Sequence, residues 1–325
     1  MQPSLPLGFD NYALRSCGWK AAQFIDYAAS LKLDALLFSD FDVYESLDDN
    51  HLRDLKRRAG DAGVALYSGQ LSICPSSKIF DPRRGTAEEQ LRLGIRIAKA
   101  LGSPVVRCVL GNQTDRFQAG GIQPRIDETV QVLRNIRDEA VNAAVKIAVE
   151  NHAGDLQANE LIGLIRRAGS DFVGATMDAG NAVWALEVPA DNLERLGPYA
   201  LCTGIRDSAV WETDDGAMYE WTAMGDGEVD WKTYFARYAE LCPRTPVFLE
   251  TISARQFPLP YRKNRAWRDS WDTSDPTYHH FLKLAEAGRP RPAPSRDPGD
   301  PQFQIAELEK SLTYCRDVLG LGAKR

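Results

Sequence analysis

Four apolar runs in the second half of the chain each lead into a carboxylate. Residues 146–149 run into Glu150, residues 172–177 into Asp178, residues 200–205 through Arg206 into Asp207, and residues 247–249 into Glu250. Short apolar runs of this kind read as buried strands, so each acid stands where a strand stops. Taken singly, an acid after a strand also reads as a helix cap or a turn residue. Four in succession argue for a site. Converging carboxylates repel, and a divalent cation is the usual remedy; hard oxygen donors suit Mn²⁺ or Mg²⁺. Asp207 is the weakest member, because it equally suits pairing with Arg206 or capping a turn.

Five further side chains are candidates for holding a substrate. His152 stands two residues after Glu150 and is the one histidine at a strand end, placed for substrate contact or proton transfer. Arg107 lies within the apolar run 105–109 and needs a partner, either Glu150 or a substrate. Arg206 would bind an acidic group of the substrate or balance the carboxylates. Gln70 follows the third strand. Trp184 lies on a loop, as do Trp211, Trp221, Tyr219 and Phe257, and aromatics there would stack on a sugar, close a lid or pack the loops.

The elements that must position these residues alternate from end to end. Eight β segments are each followed by helical sequence, and the third to eighth begin near residues 64, 105, 146, 172, 200 and 246. That rhythm predicts an α/β fold, a (β/α)₈ barrel whose strand ends converge on one catalytic face. A doubly wound sheet is the alternative, but no Gly-x-Gly-x-x-Gly follows the first strand. Helical spacing is continuous from Ile126 to Val141. The barrel is expected over residues 1–288, with a β-hairpin insertion near 209–230 signalled by Thr213-Asp214-Asp215-Gly216. A Pro- and Arg-rich linker and a C-terminal helical extension are expected over 289–325.

Composition narrows the class. The 325 residues are 44% hydrophobic and 26% charged, a globular balance. With 39 basic and 45 acidic residues the net charge is -6, which argues against a nucleic-acid partner. No apolar run is long enough to span a membrane, and residues 1–6 have no signal-peptide pattern. Six scattered cysteines without a CxxC pair read as reduced thiols of a cytoplasmic protein. The oligomeric state is left open by the sequence, with the last helix and the hairpin as the candidate surfaces for a homo-oligomer.

The order of these motifs resembles the xylose isomerase-like TIM barrels, the sugar phosphate isomerase/epimerase type. The resemblance rests on Val149-Glu150-Asn151-His152, Met177-Asp178-Ala179-Gly180-Asn181, Ile205-Arg206-Asp207, Gly225-Asp226-Gly227-Glu228-Val229-Asp230-Trp231 and Phe248-Leu249-Glu250, and covers roughly residues 5–287. It implies a metal-dependent isomerase or epimerase acting on a sugar or keto-sugar through a metal-bound enediolate. Glu150, Asp178 and Glu250 match three family metal ligands. Glu150 and Glu250, on strands five and eight across the site from each other, are expected to serve as the acid–base pair. The fourth ligand of the family is a histidine where this chain has Gly204, and Asn181 replaces a histidine of some members. Three ligands plus water, a donor such as Asp207, or loss of the metal would each answer that departure. A lyase, hydratase or decarboxylase on a 3-keto sugar or sugar acid is the leading alternative activity. A metal-free carbohydrate-binding barrel is the second. Endonuclease-type phosphodiester cleavage is disfavoured by the acidic balance.

Overall fold

The computed structural model describes residues 4–323. Among the described residues there are eleven strands: β1 (Leu7–Asp10), β2 (Ala35–Phe38), β3 (Ala65–Ser72), β4 (Val105–Val109), β5 (Lys146–Glu150), β6 (Val173–Asp178), β7 (Ala200–Gly204), β8 (Asp207–Thr213), β9 (Gly216–Thr222), β10 (Val247–Leu249) and β11 (Arg255–Leu259). Eight of them form one parallel sheet in the order β10-β1-β2-β3-β4-β5-β6-β7. A parallel bridge from Ile205 to Leu249 joins its two ends and closes the barrel. The amides of Ile205 and Glu250 donate across that seam to Phe248 and Ile205, at 2.8 and 3.0 Å. The (β/α)₈ expectation is met.

Helices α1 (Ala21–Ser30), α2 (Asp49–Asp61), α3 (Ala87–Leu101), α4 (Gln123–Asn135), α5 (Arg137–Ala143), α6 (Ala158–Ala168), α7 (Ala179–Trp184), α8 (Pro189–Leu196), α9 (Trp231–Leu241), α10 (Arg265–Arg268), α11 (Pro276–Ala287) and α12 (Pro301–Asp317) complete the chain. Helix α3 shows how local sequence sets an end. Thr86 accepts from the Glu89 amide at 3.2 Å, and Glu89 accepts from the Thr86 amide at 2.8 Å. Gly102 then stops the helix at φ 79°. The helix expected over 126–141 is two, because the chain leaves helical geometry at Ile136 (φ −110°, ψ 9°).

Between barrel and helices lies the main core, where outward residues such as Phe9, Leu36, Val106 and Met177 meet the helices. Inside the barrel, Ala35, Leu37, Val105, Ala148, Cys202 and Phe248 make a second, smaller core. The expected hairpin is β8–β9, in register from Asp207–Thr222 to Thr213–Gly216. A third strand, β11, pairs antiparallel with β9. It went unread because Pro258 interrupts it, and an edge strand tolerates proline. Helix α12 lies on the barrel, with Leu308, Leu312 and Cys315 in the main core.

Truncating Leu308, which is fully buried, therefore opens a cavity in that core. Leu308→Ala is expected to lower the unfolding free energy by about 3 kcal/mol. Urea denaturation checks this, and an unchanged midpoint would mean that α12 is not part of the cooperative unit.

Candidate active site

Side chains alternate faces along a strand. On β5, inward Ala148 sets Glu150 inward. On β4, Val105 does the same for Arg107, and on the β10 path Phe248 does so for Glu250. At the carboxyl end of the barrel the apolar inner core therefore gives way to a charged layer. Oxygens of Glu150, Asp178 and Glu250 lie within 4.8 Å of one another, and the three residues are 1%, 0% and 6% exposed.

Two arginines neutralise part of this layer. Arg107 donates to Glu150 Oε2 from Nη2 at 2.5 Å and from Nε at 2.6 Å. Arg206 donates from Nη2 to Glu250 Oε2 at 2.5 Å and also to Asp178 Oδ2. Its guanidinium lies 4.4 Å from the Trp221 ring centre, and Trp221 Nε1 donates to the Gly180 carbonyl at 3.0 Å. Asn151 holds the backbone of Asp178 through both its amide and its carbonyl, at 2.8 and 2.9 Å. The Asn181 amide donates to Asp178 Oδ1 at 2.8 Å, and its side chain donates to Glu150 Oε1 at 3.3 Å.

One acid of the layer was missed. Asp10, at the end of β1, is 2% exposed and interacts electrostatically with Glu250 and Arg107. The signal was available: Leu7-Gly8-Phe9 runs into Asp10 just as the later strands run into theirs. Burial pushes the Asp10, Glu150 and Asp178 carboxyls up to about 7, against the opposing pull of the arginines. Four carboxylates facing two guanidiniums leave an excess of two negative charges when all are ionised.

The other expected residues divide. His152 lies beside the layer, and its Nδ1 is 2.6 Å from the Gly111 carbonyl. A carbonyl only accepts, so Nδ1 carries the proton and Nε2 is left with a lone pair. Burial, with Arg107 adding to it, lowers the imidazole to about 4, which keeps that neutral form. Trp184 packs with Trp221, Tyr219 and Phe257, stacking on Phe257 at 5.2 Å. Gln70 does not face the layer. It lies on the side of β3 toward α3, where a Cβ on Gly94 would come within 2.6 Å of its Oε1. Its neighbour Gly69 takes the inward face, against Arg107. Asp207 is also elsewhere. It accepts from the amides of Ser208, Gly225, Gly227 and Val229 at 2.8–3.4 Å and ties the end of the hairpin down.

The donor set suits a hard divalent cation: three carboxylates within reach of one ion, with two excess negative charges to match it. The fourth barrel position facing them, Gly204, offers no side chain. A cavity of about 670 Å³ lies at the other end of the barrel, near Val105, Lys146 and Val173, and contains none of these acids. Over the charged layer itself lie the hairpin aromatics.

A family model described as xylose isomerase-like TIM barrel matches residues 13–272. The 3-oxo-isoapionate decarboxylase of Pectobacterium atrosepticum is 24% identical over 194 residues, which are 59% of this chain and 63% of that protein. The chain thus spans less than two thirds of that curated relative. D-psicose 3-epimerase from Clostridium cellulolyticum H10, solved with D-tagatose, superposes with a TM-score of 0.63 at 16% identity, covering 97% of this chain and 99% of that one. The IOLI protein, solved with a zinc atom, gives 0.60 at 15% identity, covering 86% and 95%. At these identities the likeness is one of fold.

With its oxygens committed to four amides, Asp207 is a structural acid. Asp207→Ala is expected to cost about 3 kcal/mol of stability and to leave the affinity for a divalent cation at the carboxylate cluster as it is in the wild type. Denaturation and calorimetry together check this, and a lower cation affinity than wild type in a folded variant would restore Asp207 to the ligand set.

Proposed function

The chain belongs to the xylose isomerase-like TIM barrel family, and from that membership we propose that it isomerises or epimerises a small keto-sugar through an enediolate. The observation that carries this reading is the buried cluster of Glu150, Asp178 and Glu250 at the carboxyl end of the barrel. Proton transfer beside a carbonyl needs a base to take the carbon-bound proton and an acid to return one. Glu150 and Glu250, from strands that are not neighbours in the sheet, are the pair proposed for those tasks. His152 Nε2, with its free lone pair, accepts from a substrate hydroxyl. Arg107 fixes the Glu150 carboxylate, and Trp184 with its aromatic neighbours excludes water. Asp178, with the two glutamates, would hold a divalent cation, Mn²⁺ or Mg²⁺ in this reading. Such a cation supplies a Lewis acid for the carbonyl and enediolate oxygens.

A second reading is decarboxylation of a keto-sugar acid. Burial holds the Arg15 guanidinium below its ordinary value, and it interacts electrostatically with Glu250 and Arg206, which adds a positive charge to the surround of the charged layer. Such a surround suits a substrate carboxylate, and a relative bears the name of a decarboxylase. In that reaction the bond to the carboxylate carbon breaks, its electron pair enters the carbonyl system, and an acid protonates the resulting enediolate carbon.

Both readings expect Glu150→Gln and Glu250→Gln to lower kcat by about 10²–10⁴ with the fold retained. Near-wild-type turnover in either variant would sink the assignment. Proton NMR in D₂O, with a panel of keto-sugars and keto-sugar acids, separates the two. Isomerisation washes deuterium into the carbon beside the carbonyl without CO₂, and decarboxylation releases one CO₂ per product.

A further inference from the structure

The charged layer contains a cation that belongs to the chain. Arg206 Nη2 lies at the point where Asp178 and Glu250 converge, in contact with both. Three features of the surrounding chain make room for it and hold it there. Gly180 comes first: a Cβ at that position would lie 2.2 Å from Arg206 Cγ and 2.6 Å from Cδ, so any larger residue would push the side chain off its path. Next is Gly204, where a Cβ would lie 2.9 Å from Asp178 Oδ2 and 3.4 Å from Glu250 Oε2. These are the two oxygens that Arg206 holds. A side chain on residue 204 and the guanidinium of Arg206 would therefore contend for one space. The third is Trp221, which covers the guanidinium and is itself tied to the Gly180 carbonyl.

From this geometry we propose that Arg206 is an internal competitor for the cation site, occupying Asp178 and Glu250 until a divalent ion displaces it. The inference rests on the reading of the carboxylate cluster as a cation site. A divalent ion held by Asp178 and Glu250 would lie close to the guanidinium that already contacts both, and the two positive charges repel. The acids of the metal-free chain are thus paired rather than bare. Divalent binding has to overcome the Arg206 contacts and its stacking on Trp221, so affinity is lowered by whatever those contacts contribute. Arg206 acts here as a positioning residue, setting how firmly the site holds a metal.

The test is Mn²⁺ calorimetry on chelator-stripped wild-type protein and on two variants that remove the competitor by different routes. Arg206→Met deletes the charge and keeps the length; Gly180→Ala keeps the charge and displaces the side chain. Each variant is expected to bind Mn²⁺ at least tenfold more tightly than wild type. Thermal unfolding supplies a second readout. Without metal, Arg206→Met should melt below wild type, since its acids are left unpaired, and Mn²⁺ should raise its Tm more than it raises that of wild type. Tightening of less than tenfold in both variants overturns the role given to Arg206 while leaving the cation site standing. Absence of Mn²⁺ binding in all three proteins overturns both.

Discussion

Burying several carboxylates at the end of a closed barrel is the constraint around which this molecule is arranged. An ion taken out of water costs several kcal/mol even after the protein relaxes. Glu150, Asp178, Glu250 and Asp10 are all nearly inaccessible. The chain answers with two buried guanidiniums, each delivered by the strand path beside the acid it serves. Arg107 comes from β4 to Glu150 on β5, a direct neighbour in the sheet. Arg206 extends β7 and reaches Asp178 on β6 and Glu250 past β10, its neighbours on either side. The β8–β9–β11 sheet above the barrel carries Trp221, which covers the Arg206 guanidinium.

That arrangement also explains why a motif read by residue type alone is ambiguous here. An arginine at a strand end can recognise a substrate anion or neutralise the protein's own acids, and the sequence left both open for Arg206. Its contacts pair it with the protein's own Asp178 and Glu250. The same holds for Asp207, whose carboxylate serves the turn after the hairpin rather than the barrel interior. The two side chains are adjacent in sequence and face opposite ways, one into the charged layer and one into the backbone of the insertion.

Legibility of the sequence followed physical range. Strands buried on both faces announce themselves as apolar runs, and a parallel barrel is made of such strands; hence the eight-fold rhythm and the acids ending runs five to eight were readable. Asp10 followed the same rule on a strand only four residues long and was passed over. Gln70 was misplaced by one step of the strand alternation, since parity, not proximity to a strand end, decides which face a side chain takes. The third strand of the insertion was hidden by Pro258. The closeness of Gly204 to the two oxygens that Arg206 holds is a three-dimensional fact with no local signature.

Closure of the barrel has a kinetic corollary. β1 pairs with β10, whose residues lie roughly 240 positions further along the chain, and the Ile205–Leu249 bridge seals the last gap. Contacts this remote in sequence form slowly, because a long loop must be ordered before they repay it. Asp10 ends β1 and Glu250 follows β10, so the pairing of β1 with β10 sets the two acids side by side. The contact between Arg206 and Glu250 spans only 44 residues, a far shorter loop than the one the β1–β10 pairing closes. The counter-charge of Glu250 thus needs far less ordering of the chain than the approach of the like charge of Asp10.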